Sequence, residues 1–380
     1  MEKKLIYILN HYSKNSVQHF FHVINLLEKI ADQGVKIALV IEKCDEEPEI
    51  KHKNIEVFAQ NETDKLKRAK ELYAIIKMLI KKGYNKIYIR ISVAATLITC
   101  LCAHKYGAKV FYWLSGDVFS FYKSWPFPKN VIWMIKSYIP YYCIKESVDY
   151  FVTGPEYMLD YYEKEGHVKR EKLRLLYNDI DVGRFQVVAD EEKKVIKERL
   201  GLDVNKRYIL QVHRFSDYRK TDFYIPYIME FARDREDIVL LMIGSGAEEQ
   251  IVREKIEQSG LKNIEMIGSK PNAIIQDYYK ACDIFINPSN SEGFPRVVIE
   301  AMASGKPIIA TNAGGTRDLF TDIQQPYIVD VTDRKGFRDR LKEMVDDIQM
   351  QQKCGEANRE RVQKYSTENV AQMYIDLIWE

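Results

Sequence analysis

The sequence predicts an α/β fold with two doubly wound parallel sheets, one in each half of the chain. Short runs rich in β-branched and aromatic residues alternate with longer amphipathic patterns, which is typical of βαβ units. The length of 380 residues exceeds what one hydrophobic core usually supports. We therefore expect one domain over residues 1–185 and a second over 186–365, with a final helix at 366–380 that packs back on the first.

The first half contains six predicted strands. They lie at Lys4–Leu9, Val35–Glu42, Lys86–Ile91, Lys109–Leu114, Tyr150–Thr153 and Leu173–Tyr177. Helices are predicted at Val17–Gln33, which Gly34 ends, and at Asp64–Lys82, which Gly83 ends.

The second half repeats this alternation. Its strands are predicted at Arg207–His213, Val239–Ile243, Ile264–Ile267, Ile284–Asn287 and Pro307–Ala310, and its clearest helices at Glu191–Leu200, Pro295–Ser304 and Thr367–Trp379. Parallel sheets bind ligands beyond the carboxyl ends of their strands, and two such sheets predict a ligand cleft between the domains.

The composition is that of an ordinary globular protein. Apolar residues make up 46% and charged residues 29%, which excludes a disordered, collagen-like or disulfide-dense chain. The six cysteines show no metal-ligand or redox spacing, which indicates a reducing, cytoplasmic compartment. No window approaches about 18 uninterrupted apolar residues, so any membrane contact is expected to be peripheral.

Charge is distributed unevenly, although the net charge is only +2. Residues 1–185 carry about +7 and the remainder about −5. Residues 65–145 contain 15 basic side chains but only two acids, Glu71 and Asp117. Such a region attracts phosphates or an anionic membrane surface, although a solvated basic face explains it equally well.

The densest chemical signal is the segment 287–307, Asn-Pro-Ser-Asn-Ser-Glu-Gly-Phe-Pro-Arg-Val-Val-Ile-Glu-Ala-Met-Ala-Ser-Gly-Lys-Pro. It predicts a strand end, a turn that carries Glu292 and Gly293, and a helix that Gly305 ends. Amides at Gly293 and Phe294 would face an anion at the helix start. With Glu300 eight residues after Glu292, the two carboxylates could accept from paired hydroxyls of a sugar or a ribose. Taken alone, an acidic helix start with a second surface glutamate explains the pair better.

The sequence around this pair resembles the Glu-x7-Glu motif of the family 4 retaining glycosyltransferases. The similarity continues through Tyr278–Ile286 and Pro307–Gly315, and weaker blocks lie at Ile243–Gly246, Val212–Lys220 and Asn178–Phe185. The resemblance implies the GT-B fold, in which two Rossmann-like domains face an interdomain cleft.

The resemblance also implies roles for individual residues. Glu292 would grip hydroxyls of the donor sugar, Glu300 would bind the ribose, and Gly293 and Phe294 would lie near the diphosphate. Arg214 and Lys220 would hold the diphosphate without a metal, although the usual family spacing selects Arg219 as the second cation.

Further donor contacts would come from two loops. Gly244 lies in one weaker block, and Ser269 and Lys270 follow the third strand of the second half, where relatives contact the base.

The amino-terminal half departs from the family pattern in two places. The loop after the first strand lacks the usual glycine pair, and Asn15 and Ser16 are candidates to contact phosphates instead, or to cap a helix. Where many members carry a histidine, this chain has Asp117, a candidate to orient or deprotonate the acceptor hydroxyl. A loop aspartate that satisfies backbone amides is an equally good explanation, and three early histidines are further candidates, His11, His19 and His22.

Residues 119–145 combine Trp, Tyr, Phe and Lys as an interfacial segment would, although an aromatic helix in the core explains them as well. With the lysine-rich helix at 64–82, they favour contact with the inner face of an anionic membrane.

The sequence therefore predicts a metal-independent retaining glycosyltransferase. It would move a sugar from a nucleotide diphosphate donor, most naturally a UDP-sugar, to a glycan or polyprenyl-linked saccharide, with no separate cofactor and no nucleic-acid partner. The alternatives are a nucleotide-sugar epimerase of the same fold and a non-catalytic nucleotide-sugar-binding partner subunit.

Overall fold

Two parallel sheets organise the computed structural model, which describes residues 2–13, 21–46, 48, 50, 52–116, 119, 125–216, 219 and 221–380. The chain divides into two units, Met1–Asp179 with Thr367–Glu380, and Ile180–Ser366. Residues 180–185, expected in the first domain, belong to the second unit. Ile180 donates a backbone hydrogen bond to Tyr365 of that unit, and the Phe185 ring packs on Tyr279.

The first unit contains a seven-stranded parallel sheet in the order β3-β2-β1-β4-β5-β6-β7. Its strands are β1 (Lys4–Leu9), β2 (Lys36–Ile41), β3 (Ile55–Ala59), β4 (Lys86–Arg90), β5 (Lys109–Trp113), β6 (Tyr150–Thr153) and β7 (Leu173–Leu175). The six predicted strands are confirmed with small shifts of their ends. The edge strand β3 was not predicted, because its side chains are half-buried and it shows no strong apolar pattern.

Five helices lie between strands in the described part of the first unit. They are α1 (Phe21–Asp32), α2 (Lys65–Lys81), α3 (Val93–Tyr106), α4 (Lys129–Ser147) and α5 (Glu156–Lys164). The predicted start of the first helix, at residue 17, lies outside the described residues. The last helix of the chain (Thr367–Trp379) packs against α1.

The second unit contains a six-stranded parallel sheet in the order β10-β9-β8-β11-β12-β13. Its strands are β8 (Arg207–Val212), β9 (Ile238–Ile243), β10 (Ile264–Met266), β11 (Ile284–Asn287), β12 (Ile308–Thr311) and β13 (Ile328–Val329). Its helices are α6 (Asp190–Arg199), α7 (Thr221–Ala232), α8 (Glu249–Ser259), α9 (Asn272–Ala281), α10 (Arg296–Ala303), α11 (Arg334–Asp346) and α12 (Ile348–Arg361). The final helix, α13 (Thr367–Trp379), belongs to the first unit. The predicted α/β class with two Rossmann-like sheets is confirmed.

Each sheet reverses its strand order beside its first strand. In the first unit β1 lies between β2 and β4, and in the second unit β8 lies between β9 and β11. Loops at such a topological switch point diverge and leave a crevice at the carboxyl edge of the sheet. We therefore expect ligand-binding sites at the two switch points.

Among the described helices, none combines the length and the apolar character that crossing a lipid bilayer requires.

Candidate active site

A buried ion pair lies at the switch point of the second sheet. Arg219, in the loop after β8, donates from Nη1 to Oε1 of Glu292, in the turn after β11, over 2.5 Å. The Glu292 side chain is 3% exposed, so its charge is almost fully withdrawn from water, and the Arg219 side chain is 18% exposed. The backbones of the two loops are joined as well, because Asn290 N donates to Arg219 O over 3.0 Å. This arrangement brings together two residues that lie 73 positions apart in sequence.

Two glycines hold these loops at close range. Gly314, in the loop after β12, has a φ of +56°, and a Cβ added there would lie 1.7 Å from the backbone oxygen of Glu292. Gly244, at the end of β9, has a φ of +150°, and its added Cβ would lie 1.7 Å from the backbone oxygen of His213. Both positions combine an unusual backbone with direct backbone contact, so only glycine fits without displacement.

The loops after β9 and β10 continue the same edge of the sheet. Gly244 N donates to Gly268 O over 3.2 Å, and Ser269 Oγ donates to Ser245 Oγ over 2.7 Å. Ser269 is exposed and Lys270 is half-buried, so both lie in reach of a ligand at this edge.

Glu300 lies in a second charged cluster, within α10. Its Oε1 is 3.7 Å from Nε of Arg296, one helical turn earlier, and Arg184 and the buried Tyr279 are close enough to interact electrostatically. Burial raises the pKa of Glu300, and this effect is opposed by Arg296, by a hydrogen bond from Tyr279 and by Arg184. Arg184 itself donates to the Gln276 side chain over 2.9 Å, which fixes it beside α9.

The remaining predicted donor residues occupy varied positions. Gly293 is half-buried in the turn before α10, whereas Phe294 is buried and packs edge-on against Tyr365, with ring centroids 5.5 Å apart. The Arg214 side chain is exposed. Lys220, Asp117, Asn15 and Ser16 lie outside the described residues, as does His19.

No sequence motif selects His213, the residue after β8. It is 4% exposed, and burial together with the nearby positive charge of Arg219 holds the pKa of its imidazole well below the usual value. No hydrogen-bond partner for either ring nitrogen is found among the described residues. The imidazole of His213 is therefore buried near the guanidinium that pairs with Glu292.

A polar pocket of about 440 Å³ lies in the first unit. It is lined by Asn10, His11, Glu42, Lys43, Arg68 and Ser92, which include residues directly after β1 and β2 and the N-cap of α3. Arg68 donates to the Glu42 carbonyl over 2.9 Å, while Oε1 of Glu42 and Oδ1 of Asn10 are buried with no partner among the described residues.

The electrostatics of this pocket centre on Glu42. Burial raises the pKa of Glu42, and a hydrogen bond from Ser92 and the charge of Arg68 oppose the shift. His11, one of the sequence candidates, forms an ion-pair contact with Asp45, with Nε2 and Oδ1 3.0 Å apart. The pocket therefore offers donors and acceptors without a large apolar surface. Sequence reasoning missed it because Glu42 and Arg68 are far apart in the chain and match no motif.

No group of three or more His, Cys, Asp or Glu side chains that could hold a metal ion is found in the described parts of the chain.

Comparison with known families identifies the second unit. Residues 192–361 match the family model described as glycosyl transferases group 1. This segment belongs to the group 1 glycosyl transferases. The match contains both Glu292 and Arg219, and it confirms the resemblance that the Glu-x7-Glu motif predicts.

Curated relatives match the group 1 segment at moderate identity. The lipopolysaccharide core biosynthesis mannosyltransferase LpsB of Rhizobium meliloti is 30% identical over 181 residues, which cover 46% of this chain and 50% of the relative. The putative teichuronic acid biosynthesis glycosyltransferase TuaC of Bacillus subtilis is 35% identical over 141 residues, which cover 37% of this chain and 33% of the relative. The chain thus spans half or less of the length of these relatives.

Solved structures match the fold over nearly the whole chain. The Anabaena protein HepE, solved in complex with UDP and glucose, aligns with a TM-score of 0.75 and 16% identity over 99% of both chains. The sucrose-phosphate synthase of Thermosynechococcus elongatus aligns with a TM-score of 0.77 and 19% identity, covering 99% of this chain and 98% of the other. Both likenesses confirm the predicted GT-B fold class.

Proposed function

We propose that the protein is a retaining glycosyltransferase that moves a sugar from a nucleotide diphosphate donor to a hydroxyl of a saccharide acceptor. The observation that carries the proposal is the buried pair of Glu292 and Arg219 at the switch point of the group 1 segment. A carboxylate and a guanidinium at one crevice supply the two groups that a sugar diphosphate needs, namely an acceptor for hydroxyls and a donor for phosphate oxygens.

Donor binding would divide these charges between the two parts of the ligand. Glu292 accepts hydrogen bonds from hydroxyls of the transferred sugar, and Arg219, with the exposed Arg214, binds the diphosphate. Glu300 accepts from the ribose, and Gly293 and Lys270 contribute at the phosphates and the base. These roles follow the family pattern, and the ion pair supports them because a phosphate can replace the carboxylate as the partner of Arg219.

The chemical step would be stabilised electrostatically. As the bond between the sugar and the diphosphate breaks, negative charge grows on the leaving phosphate oxygen, and fixed cations lower the free energy of that state. The acceptor hydroxyl attacks the face from which the diphosphate departs, as in the family mechanism. Asp117 remains a predicted base for this hydroxyl.

The acceptor would be a glycan or a lipid-linked saccharide. The polar pocket around Glu42 supports this part of the proposal. Its buried Glu42 and Asn10 side-chain oxygens, which have no partner in the described part of the chain, favour a ligand with hydroxyl groups. A polyprenyl-linked acceptor and a location at the cytoplasmic face of a membrane belong to the same proposal.

The donor test begins with uridine nucleotides, because the HepE structure contains UDP and glucose. Thermal shift and calorimetry with UDP, UDP-sugars and GDP- and ADP-sugars would identify the donor. We expect Glu292→Gln to retain UDP binding but to lower turnover by about 100-fold, since it removes a charge-assisted contact to the sugar. Arg219→Gln should weaken UDP itself by about 10-fold or more.

A matched control exists for the arginine. Arg235 also lies in the second unit in an ion-pair cluster, and its side chain is 19% exposed compared with 18% for Arg219. Arg235→Gln should leave UDP affinity unchanged. The proposal fails if both variants weaken UDP equally, or if Arg219→Gln binds UDP as well as the unmodified protein does.

The same measurements separate the two alternatives. An epimerase would interconvert the donor sugar with no acceptor present, and a binding subunit would bind nucleotide unaffected by Glu292→Gln and transfer to no acceptor. The glycosyltransferase relatives LpsB and TuaC favour transfer.

A further inference from the structure

The first three turns of α4 expose large apolar side chains on all sides. Eight of them between positions 131 and 142 are exposed to solvent: Val131, Ile132, Trp133, Met134, Ile135, Tyr138, Ile139 and Tyr142. Ile135 is 51% and Ile139 55% exposed, values expected of polar surface positions. Soluble proteins rarely expose an apolar patch of this kind unless it binds something.

The end of the same helix is anchored in the core. Tyr141 and Ile144 are buried in the hydrophobic cluster that α4 shares with α2, α3 and α5. Tyr141 also donates to the Gly166 carbonyl over 2.9 Å. The helix is therefore fixed at its carboxyl-terminal end, while its amino-terminal part presents apolar side chains outward.

Basic side chains are exposed on the same layer of helices as this apolar surface. Helix α2 packs on α3, and α3 packs on α4, so the three helices form one layer. The exposed lysines of this layer are Lys65, Lys67, Lys70, Lys81, Lys82, Lys105, Lys129 and Lys136. Only two acidic residues, Glu71 and Glu146, lie within the three helices, and Glu71 accepts from the amides of Asn61 and Glu62.

We propose that this helical layer, with the apolar side chains of α4 and the lysines of α2, α3 and α4, docks on the headgroup region of a bilayer that contains anionic lipids. The occupant is chosen by charge complementarity, because a surface that is both apolar and strongly positive matches acyl chains beneath anionic headgroups.

The side-chain types fit the depth of such a contact. Trp133, Tyr138 and Tyr142 carry polar atoms on large rings and suit the boundary between headgroups and acyl chains, whereas Ile135 and Ile139 would lie deeper. Lys129 and Lys136 have long stems that keep their charges at the headgroups. The inference does not depend on the donor site. Docking would place the protein on the membrane that holds a lipid-linked acceptor.

Co-sedimentation of the full chain with vesicles tests the proposal without any nucleotide. We expect binding to vesicles of phosphatidylcholine mixed with phosphatidylglycerol, weak binding to phosphatidylcholine alone, and release at about 1 M salt, where charges are screened beyond ~3 Å. The double variant I135E/I139E should lose vesicle affinity by about 100-fold or more. K129Q and K136Q should each weaken it by about fivefold.

A matched control comes from the second unit, where Val195 and Ile251 are 59% and 48% exposed on α6 and α8. V195E/I251E should bind vesicles normally, and equal loss in both double variants would overturn the proposal. Failure of the unmodified chain to bind either vesicle at low salt would also overturn it. So would sedimentation showing a dimer that I135E/I139E dissociates without any vesicle binding, since the surface would then be an interface between copies.

A measurement on the folded protein avoids reliance on variants alone. Brominated phosphatidylglycerol vesicles should quench the fluorescence of Trp133 and of Trp125, whose ring centroids lie 5.4 Å apart, and W125F/W133F should lose most of that quenching. Quenching that persists unchanged in W125F/W133F would contradict insertion of α4.

Discussion

Replacing Gly314 by alanine should damage both the proposed donor site and the stability of the fold. The added Cβ would lie 1.7 Å from the Glu292 carbonyl oxygen and 2.5 Å from its carbonyl carbon. Non-bonded Cβ contacts below 3.0 Å essentially do not occur, so the Glu292 turn and the Gly314 loop must separate by about 1.3 Å. Such a displacement would disturb the contact between Glu292 and Arg219, whose Oε1 and Nη1 atoms now lie 2.5 Å apart.

Two costs should add in this variant. Alanine at a φ of +56° costs roughly 1–2 kcal/mol through backbone strain alone. Displacing the turn adds a packing cost of about 1–3 kcal/mol. Because a misplacement of about 1 Å can lower a rate by about 100-fold, we expect turnover to fall by that order.

The variant Gly260→Ala separates the cost of backbone strain from the cost of the steric clash. Gly260 has a φ of +71° at the end of α8, but nothing lies within 4 Å of its added Cβ. Urea unfolding should therefore show a loss of about 1–2 kcal/mol for Gly260→Ala and a larger loss for Gly314→Ala, with normal turnover only in the former. If the two variants are equally stable and both turn over the donor normally, close packing of Gly314 does not position Glu292.

Three further predictions concern charge. The pKa of His213 is held well below its usual value, so below about pH 6.5 the unfolded chain binds a proton that the folded chain does not. The free energy of unfolding should therefore fall by about 1.4 kcal/mol for each unit by which the pH is lowered further. Urea unfolding of His213→Leu should lack this pH dependence. Glu42→Gln should raise the KM for the acceptor by about 10-fold while UDP affinity stays constant in calorimetry, because it removes a charged hydrogen-bond acceptor from the pocket. Glu300→Gln should weaken UDP by about 10-fold and leave the affinity for free pyrophosphate unchanged, which a ribose contact requires.

The residues of the proposed donor site could be named from the sequence because most of them lie in one continuous segment. Glu292, Gly293 and Glu300 lie within nine residues, and the strands on either side have clear apolar patterns. The choice between Arg219 and Lys220 could not be made there, because the ion pair forms across a contact between distant loops. The structure pairs Arg219 with Glu292, while its role at the diphosphate remains a prediction.

The pocket of the amino-terminal half could not be predicted from the sequence because its polar residues come from separate elements. Glu42 follows β2 and Arg68 lies in α2, and only the fold brings the Arg68 guanidinium to the Glu42 carbonyl. The edge strand β3 and helices α3 and α5 were not predicted either. Helix α3 is apolar nearly all round, so its pattern lacks the contrast that periodicity requires.

The aromatic segment shows why composition alone could not decide between a core and a surface. Tyr141 and Ile144 are buried, whereas Trp133 and Ile135 in the same helix are exposed, so both interpretations hold for different turns of α4. Only the packing of α4 on α3 separates the anchored turns from the outward ones. The same layer that buries Tyr141 also carries the exposed lysines, and this makes an otherwise unfavourable apolar surface electrostatically suited to an anionic bilayer.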